Sequence, residues 1–427
     1  MVITQHDDIV YLINRLREET AYVYPVAVDA FLHPVQNKLS SLHFRFEDGT
    51  FYTVSVNHPD APNFDIDLSK AYKLVTLHQK ELRHLTKTFD GIASYATNIV
   101  DLATIIHLNN DVIPIHREFY TMMIHQIKNQ FKFKNLHYSI PLTSWVETAE
   151  AFLQHCEHLY KRYESTELDP AFQFINQLTI PTLGHIETSG IQTTDGLVYS
   201  DYNIYTSTGR PSNAFGGINF AALNKNDGSR EKFVSRFGEN GTLVQFDYEA
   251  FHLRLAGKLM DYYLPPTSLH TYLAQQYYEN LTVTKEQYEE SKARTFAIMY
   301  GQSDDTGGVE FFQKMKEYSS KLWDEYRQNG FVLSQTGRKI VLNDPSKNKV
   351  FNYMMQLTET EEAIRRVNKV CRFLNRVVLY TYDAILLDVP NDELHLMDKV
   401  AEILSEGGFP VRQYRGQNYD ELNLLKI

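Results

Sequence analysis

With 427 residues, 43% of them hydrophobic and 22% charged, the chain has an ordinary globular composition and room for two or three domains. A formal net charge of -11 excludes a wholly basic nucleic-acid binder, but not an enzyme that grips nucleic acid in one local groove. Two cysteines, Cys156 and Cys371, exclude a disulfide framework and a cysteine-rich zinc site. No run is long enough to span a membrane and the first residues carry no basic-then-apolar signal, so a cytoplasmic protein without membrane partners is expected. The 28 Tyr and 25 Phe serve mostly as core, though rings lining a groove can also stack on bases.

In chain order, residues 1 to about 20 read as a short amphipathic lead. Strands follow between Val23 and Asn57, with an Asp48-Gly49 hairpin turn between LHFRF and FYTVSV. Leu74 to Leu108 alternates helical patches with short apolar runs, and Ser144 to Tyr163 is predicted helical. Strands first and helices later predict a compact α/β domain ending near Glu164. Ser165 to Pro181 reads as a linker punctuated by Pro170 and Pro181, and Leu183 to Ile191 as a short helix with Gly190 at its end.

The organising stretch is Gly241 to Met260, GTLVQFDYEAFHLRLAGKLM. Thr242, Val244 and Phe246 alternate as in a half-buried strand, and Phe251, Leu255 and Leu259 then repeat at a helical period. Asp247 therefore stands where a strand becomes a helix, where a carboxylate either caps the helix or points out of the sheet to ligate a hard cation. Val377 to Pro390, VVLYTYDAILLDVP, reads as a tight hairpin with Asp383 near its tip. Two such carboxylates at one sheet edge would suit Mg²⁺ ions whose coordination phosphates complete. Further helices are predicted at Ser268 to Tyr278, Lys285 to Tyr300, Glu310 to Tyr326 and Asn352 to Phe373. On the second of these Tyr288, Lys292, Phe296 and Tyr300 share one face. Such a stripe serves a core or a binding surface, and its lysine calls for an anion such as a triphosphate. Gly337, Arg338 and Lys339 form a candidate phosphate-contacting turn. Asn352 and Gln356 share a helix face, either as solvated amides or as readers of minor-groove acceptors.

These segments resemble, in order, those of the family-A (Pol I-like) DNA polymerases. TSTGRPSN at Thr206 to Asn213 is similar to the family's primer-contacting segment, FDYEAFHLRLAG to its motif A, KARTFAIMYG from Lys292 to Gly301 to motif B, and YDAILLDVP to motif C. FPVRQYRGQNYDEL from Phe409 is similar to its C-terminal segment. The resemblance implies an α+β fold: an RNase H-like, exonuclease-like α/β domain over 1-165, a linker and residual thumb over 166-205, and a right-hand palm and fingers over 206-427, with fingers near 262-335. It implies that Asp247 and Asp383 are catalytic and hold two Mg²⁺ ions, with Mn²⁺ as a substitute and the Tyr248 carbonyl assisting. Lys292, Phe296, Tyr300, His252 and His270 would then bind the dNTP, and Thr208, Arg210, Asn352, Gln356 and Tyr382 the primer-template DNA.

The sequence also departs from the family's pattern. Motif C's acidic neighbour is Ala384, the glutamate that excludes ribonucleotides is His252, and two family arginines are Tyr288 and Asn348. Ile186 and Thr208 lie only about twenty residues apart, so the thumb is expected to be nearly absent and a processivity partner to replace it. The expected exonuclease Asp-x-Glu reads Asp29, Ala30, Phe31, and Asp101 alone matches a family acid, which predicts a vestigial domain without nuclease activity. The resulting expectation is a compact template-directed DNA polymerase, phage-type in its trimmed architecture. Its competitors are an inactive polymerase-derived subunit that binds primer-template, and an RNA polymerase-like enzyme.

Overall fold

The computed structural model describes residues 1–29, 32–87, 98–114, 140–215, 218–220, 223, 227–303 and 305–425. It divides into two units, Met1–Thr188 and Ser189–Ile427, a boundary that falls inside the stretch expected to link two domains.

The first unit is built on a five-stranded sheet in the order β3-β2-β1-β4-β5. Strands β1 (Thr20–Ala27), β2 (Leu39–Phe46) and β3 (Phe51–Ser55) are antiparallel, whereas β4 (Lys73–Thr76) and β5 (Ile99–Asp101) run parallel to β1. The lead predicted for the first residues is a full helix, α1 (His6–Glu18), which buries Ile9, Leu12 and Leu16 on one side. Helices α2 (Gln79–Leu85), α3 (Leu102–Leu108) and α4 (Leu142–Tyr163) complete the layers, with Phe44, Phe46, Val54 and Leu74 at the centre of the core.

The stretch read as a proline-punctuated linker is helical instead. Pro170 takes the first position of α5 (Pro170–Phe174), where its missing N–H costs nothing, and a π turn over Ile175–Thr179 leads into α6 (Ile180–Ser189). Pro181 follows that π turn directly, inside one continuous helical run, where the wider turn accommodates its missing N–H. Neither proline marks a loop here.

The second unit opens with three short strands, β6 (Ile191–Thr193), β7 (Gly196–Val198) and β8 (Tyr202–Asn203), followed by β9 (Ser212–Phe215) and β10 (Ile218–Asn219). Its main sheet has the order β14-β15-β11-β16-β17, formed by β11 (Gly241–Tyr248), β14 (Val377–Thr381), β15 (Ala384–Pro390), β16 (Val411–Gly416) and β17 (Asn423–Leu424), all antiparallel. Predicted as half-buried, β11 is the central strand of its sheet and is buried along nearly its whole length, so side chains on both of its faces are packed over. Leu243, Val378, Leu379 and Leu386 pack with Phe220, Phe233 and Tyr419 on one side of the sheet. Helices α7 (Phe251–Leu259), α8 (Leu269–Tyr278), α9 (Lys285–Met299), α10 (Glu310–Asn329), α11 (Lys347–Phe373) and α12 (Met397–Ser405) make up the rest, with a small hairpin of β12 (Val332–Leu333) and β13 (Lys339–Ile340).

One buried carboxylate pins β15 to the segment before β11. Asp388 on β15 is 2% exposed and accepts from Ser235 Oγ at 2.6 Å, the Arg236 backbone N–H at 3.0 Å and Arg236 Nε at 2.8 Å. Asp388→Ala leaves three donors without their acceptor. It is expected to lower the unfolding free energy by about 2–3 kcal/mol, measured by denaturant titration at unchanged m-value.

Candidate active site

The two aspartates meet at one end of the central sheet. In register, Asp247 on β11 lies opposite Ala384 on β15 and Arg412 on β16. The hairpin between β14 and β15 has a two-residue loop, Tyr382-Asp383, in which Tyr382 takes φ 62°. Tight hairpins require such a positive φ because their twist must match that of the strands. The Tyr248 N–H donates to the Asp383 carbonyl at 2.9 Å, which ties the hairpin tip to the end of β11.

After Tyr248 the chain turns sharply. Ala250 adopts a left-handed conformation (φ 49°, ψ 45°) immediately before α7, an unfavourable geometry for a residue with a Cβ and one that recurs where a site demands it. Glu249 is buried, accepts from Arg254 Nη2 at 2.7 Å and from the Leu269 N–H at 3.2 Å, and so fastens the start of α8 to this turn. Its carboxylate is thereby used in the scaffold.

A cleft of about 390 Å³ opens above the aspartates. Its walls include Asp247, Tyr248, His252, His270, Lys292, Phe296, Tyr300, Asp383, Glu359 and Arg412. The stripe on α9 faces this cleft and not the core. Phe296 and Tyr300 are 40% and 39% exposed and stack on each other with centroids 6.2 Å apart, while the helix buries Ser291, Thr295, Ile298 and Met299 on its other side. Lys292 lies half-buried on the same stripe, and among the described residues it makes no ion pair. His270 packs edgewise against Tyr288 and tilted against Phe296, and burial depresses its pKa, which favours the neutral ring.

Although the hairpin tip leaves Asp383 accessible to water, it stands inside the cleft. Desolvation there, and then the negative charges of Asp247 and Glu359, raise its carboxyl to about 6. The cost of this charged form is fully present above pH 6, shrinks as pH falls towards the ordinary carboxylate value, and vanishes below it. Asp383→Asn is therefore expected to stabilise the metal-free protein at pH 7.5 by about 1 kcal/mol, allowing for the side chain's exposure. The gain should close between pH 6 and 4 in thermal melts with chelator.

The residues expected on the nucleic-acid side occupy a neighbouring surface. Gly209 has φ 75°, a conformation strained for any residue with a Cβ, and a Cβ there would also push the Leu357 side chain aside, so the loop favours glycine. Thr208 Oγ1 accepts from the Arg210 N–H at 3.4 Å. The Arg210 guanidinium is turned inward: Nε donates to Glu359 Oε2 at 2.5 Å, and the group lies 4.8 Å over the Tyr382 ring. Asn352 and Gln356 lie half-buried on one face of α11, with Glu359 one turn further on. The candidate phosphate turn is placed elsewhere in role. Arg338 is buried and donates to the Thr206 carbonyl at 2.8 Å, holding the β12–β13 hairpin against the loop before Gly209.

Three charged residues of the cleft carry no expectation from the sequence: Glu249, Glu359 and Arg412. Glu359 follows Gln356 by three positions, a spacing that puts it on the same helix face, but an acid on a helix reads as solvated until its burial is known. Arg412 sits in an exposed-looking strand and is located only by its pairing with Asp247.

In the first unit, Ala30 and Phe31 of the expected exonuclease motif lie outside the described residues. Asp101 is fully buried as the cap of α3. Its Oδ1 accepts from the Thr104 N–H at 2.7 Å and Thr104 Oγ1 at 2.8 Å, and its Oδ2 from the Gln79 N–H at 2.7 Å.

The chain is a mixed α+β protein with the fold of a DNA polymerase domain. It superposes with a TM-score of 0.73 on the POL domain of Pol1 from M. smegmatis, solved in complex with DNA primer-template and dNTP, covering 99% of this chain and 100% of that one at 13% identity. It is also 22% identical over 291 residues to DNA polymerase I of Caldicellulosiruptor bescii, an alignment over 57% of this chain. The aligned part spans about a third (32%) of that relative's length. No family model matches the chain.

Proposed function

We propose that the protein is a template-directed DNA polymerase that adds deoxynucleotides to a primer 3′-hydroxyl. The observation that carries this reading is the cleft itself, in which Asp247 and Asp383 at the sheet end face Lys292, Phe296 and Tyr300 on α9. The order of the motifs, the likeness to a polymerase domain and the relation to a DNA polymerase I support it.

The site suits hard divalent cations. Its donors are carboxylate oxygens, and desolvation together with the charges of Asp247 and Glu359 raises Asp383 to about 6, a cost of the charged form that a bound cation relieves. Asp247, Asp383 and the Tyr248 carbonyl would hold Mg²⁺, or Mn²⁺ in its place. When bound, such ions acidify the primer hydroxyl and stabilise charge on the departing pyrophosphate. The chain's own groups do the rest. Lys292 and Arg412 offer cationic charge to the triphosphate, neutral His270 lines the same wall, and Phe296 with Tyr300 gives the base a stacking platform. Thr208, Asn352, Gln356 and Tyr382 lie towards the primer-template. Arg412 supplies a cation in a cleft where Tyr288 occupies a family arginine's position.

We infer two further points of organisation. The first unit is an exonuclease-like domain without nuclease activity, a reading supported by its mixed sheet and by the engagement of both Asp101 oxygens in capping. The stretch from Ser189 to Thr208 holds only short strands, which supports a reduced thumb and low processivity unless a partner clasps the duplex. The replacement of motif C's second acid by Ala384 favours one competing reading, a polymerase-derived subunit that binds primer-template without catalysis. Among the described residues no helix is long and apolar enough to cross a membrane.

Primer extension separates the two. With Mg²⁺ or Mn²⁺ and dNTPs the wild type extends a labelled primer, and the Asp247→Asn, Asp383→Asn double variant does not. Binding of primer-template without extension under either metal would establish the inactive subunit instead.

A further inference from the structure

Five side chains form one continuous network across the cleft. His252 Nδ1 lies 3.2 Å from the Tyr300 hydroxyl. His252 Nε2 lies 3.0 Å from Glu359 Oε1 and 3.0 Å from Arg210 Nη2. Glu359 in turn accepts from Arg210 Nε at 2.5 Å, and Arg210 lies over Tyr382. Arginine can only donate, so His252 Nε2 either accepts from Arg210 or donates to Glu359. In both states that nitrogen is engaged, and Tyr300 engages the other.

Glu359 is 2% exposed, and the mechanism above makes no use of it. A desolvated carboxylate is costly unless its partners are held in good geometry, and here the partners are His252 itself and Arg210, which also reaches His252. We propose that Glu359 is a positioning residue for nucleotide selection, holding His252 as a fixed wall against the 2′ side of the incoming sugar. The proposal rests on the polymerase reading. If phosphates lie between Asp247, Asp383 and Lys292, and the base lies on Phe296 and Tyr300, the sugar occupies the gap between them. His252 borders that gap, five residues after Asp247 and bonded to Tyr300.

The selection follows from the lack of a spare nitrogen. A 2′-hydroxyl pressed against a ring with both nitrogens engaged loses its water and gains no partner, whereas a 2′-deoxy sugar loses nothing. Removing Glu359 releases Arg210 and one edge of His252. The ring can then turn, and a freed nitrogen can bond the 2′-hydroxyl.

The test is the ratio of kcat/KM for dNTP to that for the matching rNTP in single-nucleotide extension. Glu359→Ala is expected to narrow the ratio by about tenfold, the scale on which a site rejects an added hydroxyl, and Glu359→Gln, which keeps an acceptor for Arg210, to retain most of it. A role confined to stability would lower both rates together and leave the ratio alone. His252→Ala is the second probe, expected to narrow the ratio similarly, with the double variant no worse than either single one. Formation of a ternary complex on a dideoxy-terminated primer, with dNTP but not rNTP, reads the same preference without turnover. An unchanged ratio in both Glu359→Ala and His252→Ala, with extension retained, overturns the proposal. Absence of both extension and a template-dictated ternary complex in the wild type overturns the polymerase reading, and the gate with it.

Discussion

Asp247→Asn is expected to reduce primer extension by at least about a thousandfold, or about 4 kcal/mol of transition-state stabilisation, while primer-template affinity changes little. The asparagine keeps the shape of the side chain and one acceptor oxygen, so β11 and its pairing with β15 and β16 stay intact. What it removes is a charge that a divalent cation requires of its ligands. The loss should be severe in this chain because Ala384 provides no replacement carboxylate, and Glu249 is already bound to Arg254 and the start of α8. Single-turnover extension at saturating DNA measures the rate, and fluorescence anisotropy of labelled primer-template measures the affinity. A parallel fall in affinity would place Asp247 in DNA binding instead.

Lys292→Ala is expected to cost about a hundredfold in kcat/KM for the dNTP, with a smaller effect on DNA binding. Lys292 is the cation on the α9 face of the cleft, and no carboxylate among the described residues neutralises it. The contrast with Arg210 is instructive: that guanidinium is held by Glu359 and is not available in the same way. Arg412→Ala should weaken triphosphate binding less, since its head group already leans on Glu249 at 3.5 Å. A titration of dNTP against single-nucleotide incorporation gives both values. A Lys292→Ala enzyme with unchanged KM and kcat would remove Lys292 from the phosphate site.

Several parts of this arrangement were legible in the sequence for physical reasons. The change of apolar period at Asp247 marked a strand turning into a helix, and the hairpin at Tyr382-Asp383 followed from two apolar runs around a short polar break. The stripe on α9 was visible as a four-residue repeat, but which way it faced was not. Burial decided that: Ser291 and Thr295 go inward, and the large rings line the cleft. Other features depended on contacts between distant segments. β11 reads as half-buried from its own alternation, and only the layers that tertiary folding packs over both faces of the sheet bury nearly every residue along it. Pro170 and Pro181 read as breakers because proline excludes a regular helix interior, yet Pro170 occupies a first turn and Pro181 follows a π turn, where that objection is relieved. Glu359 and Arg412 carry no local signal of function, since their roles come from partners more than a hundred residues away.

The central claim is that the cleft adds the nucleotide that a template dictates. The most direct measurement uses four primer-templates that differ only in the first unpaired template base, each offered one dNTP at a time with Mg²⁺ or Mn²⁺. Each template is expected to accept its complementary nucleotide and to reject the other three by at least about a hundredfold in kcat/KM. Addition without regard to the template base, or tight DNA binding with no addition under either metal, would contradict it.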